Sequence, residues 1–97
     1  MMKADLVHLS LKKPPEFLFG GVSVRIFDRT VRQGLKRNTE PFVMLYEDAK
    51  EIPRGRVRKM SFVVLTGVMA EDGYRFAHAD TGEWVTDEVP SKYIRLK

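Results

Sequence analysis

The apolar residues of this chain come in short runs, and Gly, Pro and Asp signals break them at intervals of about ten residues. That rhythm predicts several short strands joined by turns, as in a small barrel or sandwich. With 97 residues and 43% apolar content, the chain is expected to be one domain, residues 1–97, around one modest core.

Val7, Leu9 and Leu11 alternate with polar neighbours, the period of a half-buried strand, and "KKPP" ends it. In "EFLFGGVSVRIF" two apolar runs flank Gly20-Gly21, which predicts a hairpin of Glu16–Phe19 with Val22–Phe27. Residues 28–38 read as a short helix or a basic loop, with Asp28 as its cap, Gly34 inside it and Asn38 at its end. "PFVMLYE" reads as a strand. "VRKMSFVVLTGVM" is the most apolar stretch and the expected central strand, with Gly67 marking a bulge or bend. Turns at "AEDG" and "DTG" separate "YRFAHA" and "EWVTDEV", and "PSKYIRL" follows. Phe17, Phe19, Phe42, Phe62 and Phe76 are assigned to the core.

The last 25 residues, "GYRFAHADTGEWVTDEVPSKYIRLK", carry a turn at Asp80-Thr81-Gly82, then Pro90-Ser91-Lys92-Tyr93, then Ile94-Arg95-Leu96. This order resembles the end of an SH3-like barrel: a distal hairpin, a strand, a Pro-Ser-x-Tyr single-turn 3₁₀ helix and a short closing strand. The resemblance implies a mainly β fold, a small SH3-like barrel of five to seven short strands with at most one short helix near residues 28–37. An open α+β sheet is the alternative. The family would also place a proline-rich peptide on Pro90 and Tyr93. The aromatic-acidic pattern of its peptide-binding members is absent here, so the resemblance is carried to the barrel shape only.

Charge supplies the functional signal. The net charge is +4, but residues 1–59 hold 13 Lys/Arg against 7 Asp/Glu, and residues 60–97 hold 4 against 6. A basic sector favours polyanions or an acidic protein surface. Its densest part is "IPRGRVRK", Ile52–Lys59, in which four of eight residues are cationic. If a strand begins near Gly55, then Arg54, Arg56 and Arg58 share one side at about 6.6 Å spacing, suited to successive phosphates, with Lys59 opposite. The alternative is a solvated edge strand whose charges discourage aggregation. Arg25, Arg29, Arg32, Lys36 and Arg37 form a second cluster. A helix over 28–37 puts Arg29, Arg32 and Lys36 on one face. Phe27, on the expected strand face of Arg25, is a candidate for stacking on bases, with Tyr46, Tyr74, Trp84 and Tyr93 as others; the alternative is that these aromatics, as most in a domain this small, belong to the core.

Other chemistries find little support. The chain has no cysteine, which excludes disulfides, thiolate metal sites and cysteine nucleophiles. His8 and His78 lack the partners of a nucleophilic triad. His78 with Asp80 and Glu83 is too sparse for a metal site. No Gly-rich phosphate loop appears. No apolar run is long enough for a signal peptide or a membrane span, so a cytoplasmic location without membrane is expected. Together these features predict a non-enzymatic binding domain without cofactor or metal. It would be associated with nucleic acid, DNA or RNA, through Arg25, Arg29, Arg32, Lys36, Arg37, Arg54, Arg56, Arg58 and Lys59, with little base specificity. The alternative is a protein-interaction module: an adaptor, an inhibitor or an accessory subunit docking on a larger protein or nucleoprotein complex. Its aromatic surface would be Trp84, Pro90 and Tyr93.

Overall fold

The computed structural model describes residues 11–36 and 42–96. Val7, His8, Leu9, Arg37 and Asn38 lie outside the described residues. The fold is mainly β. In chain order come β1 (Leu18–Ser23), α1 (Phe27–Gln33), β2 (Leu35–Lys36), β3 (Val43–Leu45), β4 (Lys59–Val64), α2 (Thr66–Glu71), β5 (Ala77–His78), β6 (Trp84–Thr86), β7 (Glu88–Val89) and β8 (Ile94–Arg95). Single 3₁₀ turns fall at Ala49–Glu51 and Ser91–Tyr93. The strands form three small antiparallel sheets, ordered β1-β4-β8, β2-β7 and β3-β6-β5. A bridge between Phe19 and Tyr46 joins the first sheet to the third, with Phe19 N–H donating to Tyr46 O at 2.7 Å and Tyr46 N–H returning the bond at 2.8 Å.

The β1–β4 ribbon is the frame. Leu18 faces Val64, Gly20 faces Phe62 and Ser23 faces Lys59. Strand alternation sends Leu18, Phe62, Val64 and Ile94 to the core side, where each is buried. Leu45, Met69, Phe76, Trp84, Val89 and Tyr93 complete that cluster. Phe62 and Phe76 are core residues as expected. Phe17 is not: it precedes β1 and is 53% exposed.

Gly20-Gly21 is not a turn. Both residues lie inside β1, and neither has a positive φ. Their small size serves packing instead. A Cβ on Gly20 would sit 2.6 Å from the Phe62 ring, and one on Gly21 would sit 2.7 Å from Ile52 Cγ2. The glycines therefore admit a large side chain on each face of one continuous strand.

The expected central strand stops at Val64 and turns into α2. The segment before β1 supplies the partners that hold this turn. Gly67 N–H donates to Glu16 O at 3.0 Å, and Thr66 Oγ1 donates to Pro15 O at 2.7 Å. Gly67 marks that close approach rather than a bulge: a Cβ there would lie 3.0 Å from Glu16 Cα and press on the segment before β1. The helix expected near 28–37 is α1. It ends at Gln33, and Gly34, with φ of +83°, turns the chain off the helix where a Cβ would sit 2.4 Å from Val89 O. Asp28 lies in its first turn and makes no capping bond.

The C-terminal features fall where the sequence places them. The Asp80-Thr81-Gly82 turn links β5 to β6, Ser91–Tyr93 forms a 3₁₀ turn after Pro90, and β8 pairs with β4. "EWVTDEV" breaks at Asp87 into β6 and β7, which belong to different sheets.

Candidate functional site

The basic segment 53–58 is not a strand. It is an irregular loop between the 3₁₀ turn Ala49–Glu51 and β4, so the expected same-side alternation of Arg54, Arg56 and Arg58 does not apply. The loop is fixed at three points. Asp48 Oδ1 accepts from Lys50 N–H at 2.9 Å, which caps the 3₁₀ turn. Ile52, 9% exposed, is seated over Gly21. Lys59 Nζ donates to Pro53 O at 2.7 Å, closing the loop on the start of β4.

This fixing gathers the cations by another route. Arg54, Arg56, Arg58 and Lys59 line one open cleft of about 530 Å³, together with Lys50. Its floor includes Gly21 and Ser61, which face each other across the β1–β4 ribbon. All five cations are exposed. Among the described residues, none of the three loop arginines has a carboxylate partner. Five cations around one concave surface raise the local positive potential, and free guanidinium forks match phosphate oxygens.

The second cluster converges only in part. Val24 N–H donates to Arg58 O at 3.0 Å, so Arg25 follows directly beside the arginine loop. Lys36 lines an adjoining cleft that shares Gly21, Ile52, Pro53 and Lys59 with the first. Arg29 and Arg32 are exposed on α1 and line neither cleft; Arg32 Nε turns back to Asp28 O at 3.5 Å. Arg37 lies outside the described residues. Lys50 and Ser61, which the sequence reading missed, carry no pattern of their own and join the site only through the fold.

The aromatic surface proposed as an alternative does not exist as such. Trp84 is 5% exposed and Tyr93 3%. Trp84 Nε1–H donates to Glu47 Oε2 at 2.8 Å, and His78 stacks on the indole with centroids 4.4 Å apart. His78 is thus a packed residue, its Nε2 3.1 Å from Gly82 O. Tyr93 donates its hydroxyl to Asp72 Oδ2 and meets Tyr74 edge to face. The Asp72 bond first, and then burial, push the Tyr93 hydroxyl up to about 12. Pro90 is half-buried behind Gly34. Among the described residues, no three His, Cys, Asp or Glu side chains gather into a metal-binding group, and no helix is long and apolar enough to cross a membrane.

Comparison with known proteins adds what the geometry leaves open. No family model matches the chain. Curated proteins do. A protein of Flavobacterium johnsoniae is 31% identical over 94 residues, covering 94% of this chain and 52% of the relative. One of Agrobacterium fabrum is 33% identical over 98 residues, covering 98% of this chain and 52% of the relative. One of Pectobacterium carotovorum is 36% identical over 86 residues, covering 86% of this chain and 46% of the relative. Each is named "Probable RNA 2′-phosphotransferase". The chain spans about half the length of these relatives.

The relatives overturn the expectation of a non-enzymatic binding domain, and the adaptor alternative with it, because they are named as enzymes. The sequence signals weighed above were those of cysteine and triad nucleophiles, metal sites and Gly-rich phosphate loops. Phosphoryl transfer relies on positioning and on cations that meet developing charge, and it leaves no such signature.

Proposed function

We propose that the chain itself acts on RNA bearing a 2′-phosphate, handling that phosphate in the arginine cleft and catalysing its transfer. The observation that carries this reading is the similarity of nearly the whole chain, at about a third identity, to proteins named for that reaction. The cleft over the β1–β4 ribbon supports it from the structural side. Arg54, Arg56, Arg58 and Lys59 surround a space open to solvent, where an RNA phosphate can enter without the chain unfolding.

In this reading the arginines hold the 2′-phosphate by paired N–H···O contacts and offset its charge as phosphorus bonds to an oxygen of a small-molecule acceptor and the ribose 2′-oxygen leaves as a hydroxyl. Lys59 acts as a point charge beside them, its Nζ steadied by Pro53 O. The backbone of Gly21 and Ser61 forms a floor with little side-chain bulk. Contacts of this kind select the phosphate and its position more than the sequence of the RNA.

The test is removal of a ³²P-labelled 2′-phosphate from an oligoribonucleotide. The assay is run in buffer and with a boiled small-molecule extract that supplies an acceptor for the group. Release by the wild-type chain, lost in Arg54→Ala/Arg56→Ala/Arg58→Ala, is the expected result. No release under either condition, from an oligonucleotide that the chain demonstrably binds, contradicts the catalytic part of the reading.

A further inference from the structure

The groove over β1 has two compartments, which meet at Gly21, Ile52, Pro53 and Lys59. The first is the arginine cleft. The second, of about 340 Å³, is lined by Leu35, Phe42, Met44 and Tyr46, together with Lys36 and Lys59. Ile52 and Pro53 form the loop side of that shared boundary, and Gly21 and Lys59 its strand side. Ile52 is the buried residue of this loop, whereas residues 53–58 are all exposed. It rests on the bare backbone of Gly21, where an added Cβ would meet Ile52 Cγ2 at 2.7 Å and Cδ1 at 3.3 Å. The isoleucine is therefore a wedge held in a notch of β1.

The two compartments differ in chemistry. One presents guanidinium groups, and the other presents two aromatic rings and aliphatic side chains with two lysines. Each has a volume typical of a small-molecule site. A nucleotide has the same division. Its phosphate is charged and its base is flat, apolar on its faces and polar at its edges. Tyr46 is part-buried, and its phenolic hydroxyl can donate to or accept from a base edge.

We propose that Ile52 divides a single nucleotide site, with the phosphate held on the arginine side and the base of the same nucleotide seated on the side of Phe42 and Tyr46. The inference rests on the RNA reading above and adds a base-binding subsite to it. Ile52 is a positioning residue: it fixes the loop that carries the arginines and sets the boundary that phosphate and base straddle.

The test uses the ¹⁵N-labelled 97-residue chain, titrated first with inorganic phosphate and then with adenosine 2′-monophosphate. Phosphate is expected to move the amide signals of residues 54–58, with Lys59 at the shared boundary, and to leave those of Phe42, Met44 and Tyr46 in place. The nucleotide is expected to move both sets of signals. Tyr46→Leu should weaken the nucleotide about tenfold, as loss of one base-stacking ring does, and leave the affinity for phosphate unchanged. If the nucleotide moves only residues 54–59, or if Tyr46→Leu weakens both ligands equally, the base subsite is refuted while the phosphate cleft stands. If neither ligand moves residues 54–59, the phosphate cleft fails and the subsite falls with it.

Discussion

Gly20 and Gly21 are neighbours on β1 and serve opposite faces. One makes room for the Phe62 ring in the core, the other for Ile52 in the groove. In the sequence the pair looks like a tight turn, because the two uses of glycine, positive φ and a missing Cβ, leave the same letters. The spatial neighbours decide between them. Gly21→Ala is predicted to destabilise the chain by about 1–3 kcal/mol through overpacking. In an Ile52→Ala background the same change should cost far less, since the remaining Ile52 Cβ would be 3.7 Å away. Urea unfolding of the four proteins measures the coupling, and equal costs in both backgrounds would refute the wedge. Tyr93 gives a second prediction at this scale. Its folded-state pKa is raised to about 12 from an ordinary 10. Its contribution to stability is therefore fully present below pH 10 and is lost as pH rises from 10 through 12. The urea midpoint should fall over that window, and less steeply in Tyr93→Phe, which has no hydroxyl to titrate. A slope unchanged by the substitution would mean that the Asp72 bond does not hold that proton.

At the scale of the element, α2 depends on a segment distant in sequence. Thr66→Val removes the bond to Pro15 O and is predicted to cost about 1 kcal/mol and to speed amide exchange at Gly67, the next link to residues 15–16. Unchanged exchange at Gly67 would mean that the two contacts are independent. This dependence also explains why α2 was not legible. "FVVLTGVM" has the apolar character of a strand, and periodicity does not separate a buried strand from a short buried helix. The partners that favour the helix are fifty residues away. Elements closed by local chemistry were legible: the Asp80-Thr81-Gly82 turn, the 3₁₀ turn after Pro90, and the region of α1. The arginines were legible as a cluster but not in their geometry, since an irregular loop, and not strand alternation, turns them toward one cleft.

For the molecule as a whole, the basic sector and the fold address different faces of the β1–β4 ribbon: Leu18, Phe62 and Val64 look into the core, and Gly21, Lys59 and Ser61 look into the cleft. The exposed arginines are therefore separable from stability. Arg54→Ala/Arg56→Ala/Arg58→Ala is predicted to keep its unfolding free energy within about 0.5 kcal/mol per site of wild type. The measurement that tests the account most directly is fluorescence anisotropy with one short oligoribonucleotide, prepared with and without a single 2′-phosphate, at about 50 and 200 mM salt. Each phosphate neutralised on a single strand implies a loss of roughly 2.6-fold in affinity over that range, and the five cations of the cleft can meet several phosphates besides the 2′-phosphate. The account predicts tighter binding of the 2′-phosphorylated strand, steep weakening with salt, and loss of both in the triple arginine variant. Equal affinity for the two strands, or discrimination that survives removal of the three arginines, would contradict it.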